Sequence, residues 1–151
     1  RGCRGDFHGN PEMSYQRIDY PLAETQPQEV KGLRGKSLVD LTIDELLAGN
    51  VTMEDLRITP EALQAQAEIA RDSGRSKLAS NFERAAELVS IPQEVIMEIY
   101  ELLRPGRATS KSALIDAADL LRNEYSAPGM AAFIEEAADA YETRGLFKYR
   151  F

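Results

Sequence analysis

Apolar positions recur with a helical period along most of the chain, and the pattern is densest between Leu78 and Pro105. Leu78, Phe82, Ala85 and Val89 follow at steps of four and three, which is one face of a 3.6-residue repeat. Ser90-Ile91-Pro92 interrupts and restarts the pattern. Pro92 is predicted at the first helical position, where its missing N–H costs nothing and its fixed φ suits a helix start. The second helix carries Val95, Ile96, Ile99, Leu102 and Leu103 on one side. Arg104-Pro105 stops it, because the residue before a proline is pushed out of the α region. This pair is the most apolar part of the chain and is expected at the centre of the core.

Helices are also predicted on either side of it. Thr42 and Glu45 form a capping-box signature ahead of Leu46-Leu47, with Gly49-Asn50 as a stop, and Thr52 with Asp55 repeats a weaker version. Thr59-Pro60-Glu61 opens a helix with Thr59 as N-cap. Its face is Ala62, Leu63, Ala67, Ile69 and Ala70, and it ends near Ser73-Gly74. Thr109 or Ser110 caps another helix with the stripe Leu114, Ala118, Leu121 and Tyr125. After Ser126-Ala127-Pro128-Gly129, a last helix carries Met130, Phe133, Ile134, Ala137, Ala138 and Tyr141 and ends near Gly145.

The ends lack such a period. Residues 1–12 are rich in Gly and charge and read as disordered. Ile18, Tyr20 and Leu22 alternate beside Pro21, the pattern of an extended arm or short strand lying on a surface. Gly32-Leu33-Arg34-Gly35-Lys36-Ser37 ends like a phosphate-binding loop, but Val30 stands where the first glycine is needed and no buried strand precedes it, so it reads as a turn. The tail 146–151 alternates apolar and basic residues and is either disordered or docked on something apolar.

With 151 residues, 43% hydrophobic and 28% charged, the chain fits one globular domain, and the 7% aromatic content without Trp implies an aliphatic, alanine-rich core. The net charge of −7 argues against nucleic-acid binding, which needs a concentrated basic surface. No run approaches a membrane span, no signal-like segment opens the sequence, and the one cysteine excludes an internal disulfide, so a cytoplasmic protein is expected. Catalytic chemistry is thin. The lone His8 and Cys3 lie in the Gly-rich segment, which does not fix a general base or complete a zinc site. Arg4-Gly5-Asp6 spells an adhesion tripeptide, but three residues recur by chance. Glu83 with Glu87, and Glu135 and Glu136 with Asp139, have the spacing of solvated helix faces rather than of an acid–base pair. Arg57 and Arg104 sit at element boundaries beside apolar residues. Each is a helix-end arginine bonding free carbonyls or an anchor to a partner subunit.

Many short motifs together carry a likeness. Tyr20-Pro21-Leu22-Ala23, Leu41-Thr42 with Leu46-Leu47, Arg57-Ile58-Thr59-Pro60-Glu61-Ala62-Leu63, Asn81-Phe82-Glu83-Arg84-Ala85-Ala86-Glu87-Leu88, Ile91-Pro92, Glu98-Ile99-Tyr100, Leu103-Arg104-Pro105 and Ala131-Ala132-Phe133 occur in an order and spacing that resembles the small (gamma) subunit of adenosylcobalamin-dependent diol and glycerol dehydratases. The likeness covers about residues 19–142. It implies a dimer of heterotrimers, in which a large barrel subunit holds substrate and metal ion and the cobalamin lies between the large and medium subunits. It also implies a helical small subunit that packs on the large one and supplies no catalytic, cofactor-binding or metal-binding side chain. Pro128-Gly129 stands where the family has more helix-friendly residues, which implies a later start to the last helix. Residues 1–12 lack the amphipathic period of a microcompartment-targeting segment.

The expectation is a mainly α, open bundle of about five helices with an extended N-terminal arm. Residues 1–18 would be flexible, 19–145 helical and 146–151 a tail. Several stripes are too narrow to close a core, so a partner should cover the remainder, with Tyr20, Arg57, Phe82, Arg84 and Arg104 as interface candidates. The competing expectation is a free-standing helical adaptor that binds a partner protein.

Overall fold

The start signals read from the sequence are made as hydrogen bonds. In the computed structural model, which describes residues 14–147, Thr59 Oγ1 accepts from the Ala62 N–H (3.2 Å), Ser110 Oγ from the Ala113 N–H (3.4 Å) and Thr42 Oγ1 from the Glu45 N–H (3.3 Å). The expectations for Cys3, Arg4-Gly5-Asp6, His8 and the tail from Lys148 onward lie outside the described residues.

Seven α-helices are described: α1 Leu22–Thr25, α2 Ile43–Leu47, α3 Pro60–Asp72, α4 Ser76–Leu88, α5 Gln93–Leu102, α6 Lys111–Glu124 and α7 Pro128–Arg144. Short 3₁₀ turns cover Arg17–Asp19, Leu38–Asp40 and Met53–Leu56. Among the described residues the β structure is limited to an isolated bridge between Lys31 and Ser37. The protein is mainly α, as expected.

Two helix pairs make the body. In one, α3 lies along α4; in the other, α6 lies along α7; α4 also meets α7, and α5 touches α6. The first pair closes through small residues: Ala67, Ala70 and Ala79 are buried together with Phe82 packed on them. The buried face of α4 is therefore centred on Ala79 and Ala86, one position from the face predicted, and Leu78 stays 38% exposed.

The core is not centred on α4 and α5. Its main cluster is Leu114, Ala117, Ala118 and Leu121 of α6 against Ala131, Ile134 and Ala138 of α7, with Ile91, Ile99, Ala108 and Ala127 at its margin. Alternating large and small residues on the facing stripes let these two helices shut out water. The apolar α5 buries only Ile99 fully and rests its remaining side chains against the edge of the cluster. Phe147 also packs there, with its ring centroid 6.1 Å from that of Tyr141, so the start of the tail is docked.

Two starts differ from expectation. Pro92 is the N-cap of α5, with ψ 140°, and Gln93 is the first helical residue. The last helix starts at Pro128, not later. The Glu87 carboxylate of α4 reaches across to accept from the N–H groups of Gly129 (2.9 Å) and Met130 (2.8 Å). This occupies the unpaired donors of the first turn and places negative charge at the helix N-terminus. Glu87 is a half-buried tertiary cap, not part of a solvated face.

Candidate subunit interface

The arm is shaped by polar contacts to α3. The Tyr15 N–H donates to Glu68 Oε2 (2.7 Å) and the Arg17 N–H to Asp72 Oδ2 (2.8 Å). Asp19 accepts from the Gln16 N–H (2.8 Å), and this curls Arg17–Asp19 into a turn. The expected strand-like alternation is therefore absent: Leu22 is buried with Ala65 and Ile69, whereas Ile18 is 82% exposed and Tyr20 60% exposed. The Tyr20–Pro21 peptide is cis. Tyr20 borders two clefts, one of about 650 Å³ between the arm and the start of α3, the other of about 580 Å³ shared with Phe82 and Leu78. Two candidates thus meet at one groove. Burial, followed by the negative charges of Glu29, Glu68 and Asp19, holds the Tyr15 hydroxyl above its ordinary pKa.

The segment after the arm is organised by one carboxylate. The Gly32 N–H bonds to the Lys36 carbonyl (2.9 Å), closing the expected turn. Arg34 Nη1 donates to Asp55 Oδ2 (3.1 Å), which also accepts from the Thr52 N–H (2.8 Å). The hydrogen bond from the Thr52 N–H, with the Arg34 guanidinium beside it, holds the Asp55 carboxyl below the usual carboxylate range, although burial opposes this. Asp55 is 1% exposed, and its Oδ1 has no hydrogen-bond partner. Gly32 is required here, because a Cβ would stand 2.0 Å from the Asp55 carbonyl oxygen.

The three arginines are separate. Arg57 pairs with Glu54 (3.5 Å) on an exposed corner. Arg104 Nη1 bonds both oxygens of Glu101 (2.9 and 3.1 Å), which raises its pKa further. The nearby Leu103 carbonyl is taken by the Tyr141 hydroxyl rather than by an arginine. Arg84 bonds Asn81 Oδ1 (2.5 Å) and lies 5.1 Å from the Phe133 ring centroid, a cation–π contact joining α4 to α7. The structure thus brings Tyr20 and Phe82 to one groove and leaves Arg57, Arg84 and Arg104 on different elements. It also exposes side chains that are not among the interface candidates, above all Ile43 (76%) and Leu47 (81%). A signal for them existed, since Ile43, Leu46 and Leu47 stand at i, i+3 and i+4 in a helix too short to bury a stripe.

Among the described residues, no group of three or more His, Cys, Asp or Glu side chains is placed to hold a metal ion, and no helix is long and apolar enough to cross a membrane. The chain matches the family described as "Dehydratase small subunit" over residues 15–148. It is 49% identical to a propanediol dehydratase small subunit of Salmonella typhimurium over 140 residues, covering 93% of this chain and 80% of that protein. It is 52% identical to the protein of the same name from Citrobacter freundii over 130 residues, covering 86% and 75%. A match of this extent, across both helix pairs and the arm, means that the chain belongs to the dehydratase small-subunit family.

Proposed function

We propose that this chain is the non-catalytic small subunit of an adenosylcobalamin-dependent diol dehydratase, acting in the cytoplasm on a 1,2-diol. Propanediol is the substrate in the names of both relatives and is the one proposed here. The observation that carries the reading is identity near one half over almost the whole chain to two propanediol dehydratase small subunits.

The donor set of the described residues does not suit a catalytic metal: it holds no histidine and no cluster of three ligating side chains. The cofactor, which supplies the radical that starts the dehydration, is assigned to the larger subunits on the family likeness. The side chains of this chain build an assembly surface. The barrel subunit and the medium subunit are the partners, in a dimer of heterotrimers. Tyr20 and Phe82 at the shared groove, together with Arg57, Arg84 and Arg104, are the proposed contacts.

The test is co-expression of the two larger subunits with and without this chain, followed by assay of aldehyde formation from 1,2-propanediol with added adenosylcobalamin. The expected outcome is that recovered activity falls at least about tenfold when the chain is left out. Equal activity without it would overturn the reading.

A further inference from the structure

Between Lys36 and Arg57 the chain has no basic residue, while Asp40, Asp44, Glu45 and Glu54 are all acidic. Over the same stretch it forms only short elements, Leu38–Asp40, α2 and Met53–Leu56. Neither of the first two has a buried residue, and the third buries only Asp55. Each exposes large apolar side chains: Val39 is 54% exposed, Ile43 76%, Leu46 55%, Leu47 81%, Met53 76% and Leu56 59%. In α2 these side chains are one complete helix stripe. A short amphipathic helix that presents its apolar stripe to water lacks the packing that normally stabilises such a helix. Apolar surface on this scale, fringed by charge, is the mark of an interaction site.

The segment is nevertheless held to the body. Val51 is 7% exposed, Asp55 binds Arg34 and Thr52, and the Leu38 N–H bonds the Val30 carbonyl (2.9 Å). It is thus a presented surface and not a loose loop.

We infer that residues 38–56 dock on the large, barrel subunit, in an apolar groove whose rim is lined by Lys and Arg. This inference rests on the subunit reading above and adds the surface and the chemistry of its counterpart. Charge selects the chemistry of the occupant. A rim whose Asp40, Asp44 and Glu45 form no ion pair among the described residues, with Glu54 alone shared with Arg57, repels an acidic partner, including a second copy of this chain at net charge −7, and is matched by a basic one.

The experiment uses the assembled enzyme, with the tag on the largest subunit and the recovered small subunit quantified. Two variants, Ile43→Ser with Leu47→Ser and Asp44→Lys with Glu54→Lys, alter only side chains outside the core and are checked for folding by circular dichroism. Each is expected to lower recovery of this chain at least about tenfold, which is a 1.4 kcal/mol loss. The charge variant should approach wild type as salt rises from about 0.1 to 0.5 M, because screening weakens both. Glu136→Lys on α7 is the control with unchanged recovery. If the wild-type chain itself fails to co-purify, the subunit reading falls. If wild type co-purifies and both folded double variants do so equally, the docking inference alone is overturned.

Discussion

Glu87 and Gly129 stand 42 positions apart and act as one device. In most helices replacing glycine by alanine stabilises by about 1 kcal/mol. Here a Cβ at position 129 would lie 2.9 Å from Glu87 Oε1 and 3.3 Å from Oε2, so the carboxylate must leave the α7 donors it caps. Such a cap contributes about 1–2 kcal/mol. Gly129→Ala is therefore expected to destabilise, and to become stabilising in a Glu87→Ala background; a four-variant urea cycle that came out additive would refute the coupling. No local pattern announces this pair: Glu87 reads with Glu83 as an i, i+4 surface face, and its partner lies on another helix. Asp55 was half legible, since Thr52-x-x-Asp55 is a capping signature, but its burial under Arg34 depends on Gly32 lying against its carbonyl. Its folded-state pKa lies below the unfolded value of about 3.9. Its stabilisation is thus complete above that value and is lost as pH falls through the lower, folded one. The stability gap between wild type and Asp55→Asn should be constant from about pH 6 to 8 and close below about pH 4. A gap unchanged down to about pH 2 would show that the charge of Asp55 is not what matters.

Among the elements, the caps, the stops and the existence of α3 to α7 were legible, because Thr59, Ser110 and Gly145 act within a turn or two of their own helix. The position of the core was not. Apolar density pointed to α4 and α5, yet burial depends on what faces a helix, and the largest buried cluster lies between the alanine-interrupted stripes of α6 and α7. Their exposed flanks are tied by Lys111 to Asp139 and Glu142 (2.7 Å each) and by Arg122 to Glu135 (2.7 Å). At such partly exposed sites these pairs add little beside the packing. The short-strand alternative for the arm fails because its alternation is period two only in sequence, and the Asp19 cap curls the backbone before a strand can form. Of the proposed contacts, Tyr20 and Phe82 come to one groove, whereas the sequence marks the exposed stripe of α2 only as a helix signal. A mutational contrast follows. Leu121→Ala, at a fully buried site between α6 and α7, should cost about 2–5 kcal/mol in urea unfolding. Leu47→Ala, at 81% exposure, should change the isolated chain by less than about 0.5 kcal/mol. Equal costs at the two positions would mean that the core lies elsewhere.

Across the whole molecule, more large apolar side chains stand exposed than buried among the described residues, and more than half of the buried apolar residues are alanines. Alanine burial removes little apolar area from water, so the hydrophobic stabilisation available within this chain is small against the entropy of ordering it. The exposed surplus is concentrated in the stretch from Leu33 to Ile58 and recurs at Met97 and Tyr100 of α5, whereas the facing stripes of α6 and α7 are buried. Stability should therefore be uneven, with the acidic segment opening before the α6–α7 pair does. A partner that binds only the folded chain raises its stability by mass action, about 2.7 kcal/mol at a hundredfold excess over Kd. For a chain of this size that corresponds to a rise in Tm of roughly 5–10 °C. Titrating the isolated chain with the larger subunits should raise its Tm in proportion to the logarithm of their concentration, and amide exchange should slow most in residues 38–56. A Tm independent of partner concentration, with no change in exchange in that segment, would mean that the chain closes its own core and that its exposed apolar side chains serve no assembly.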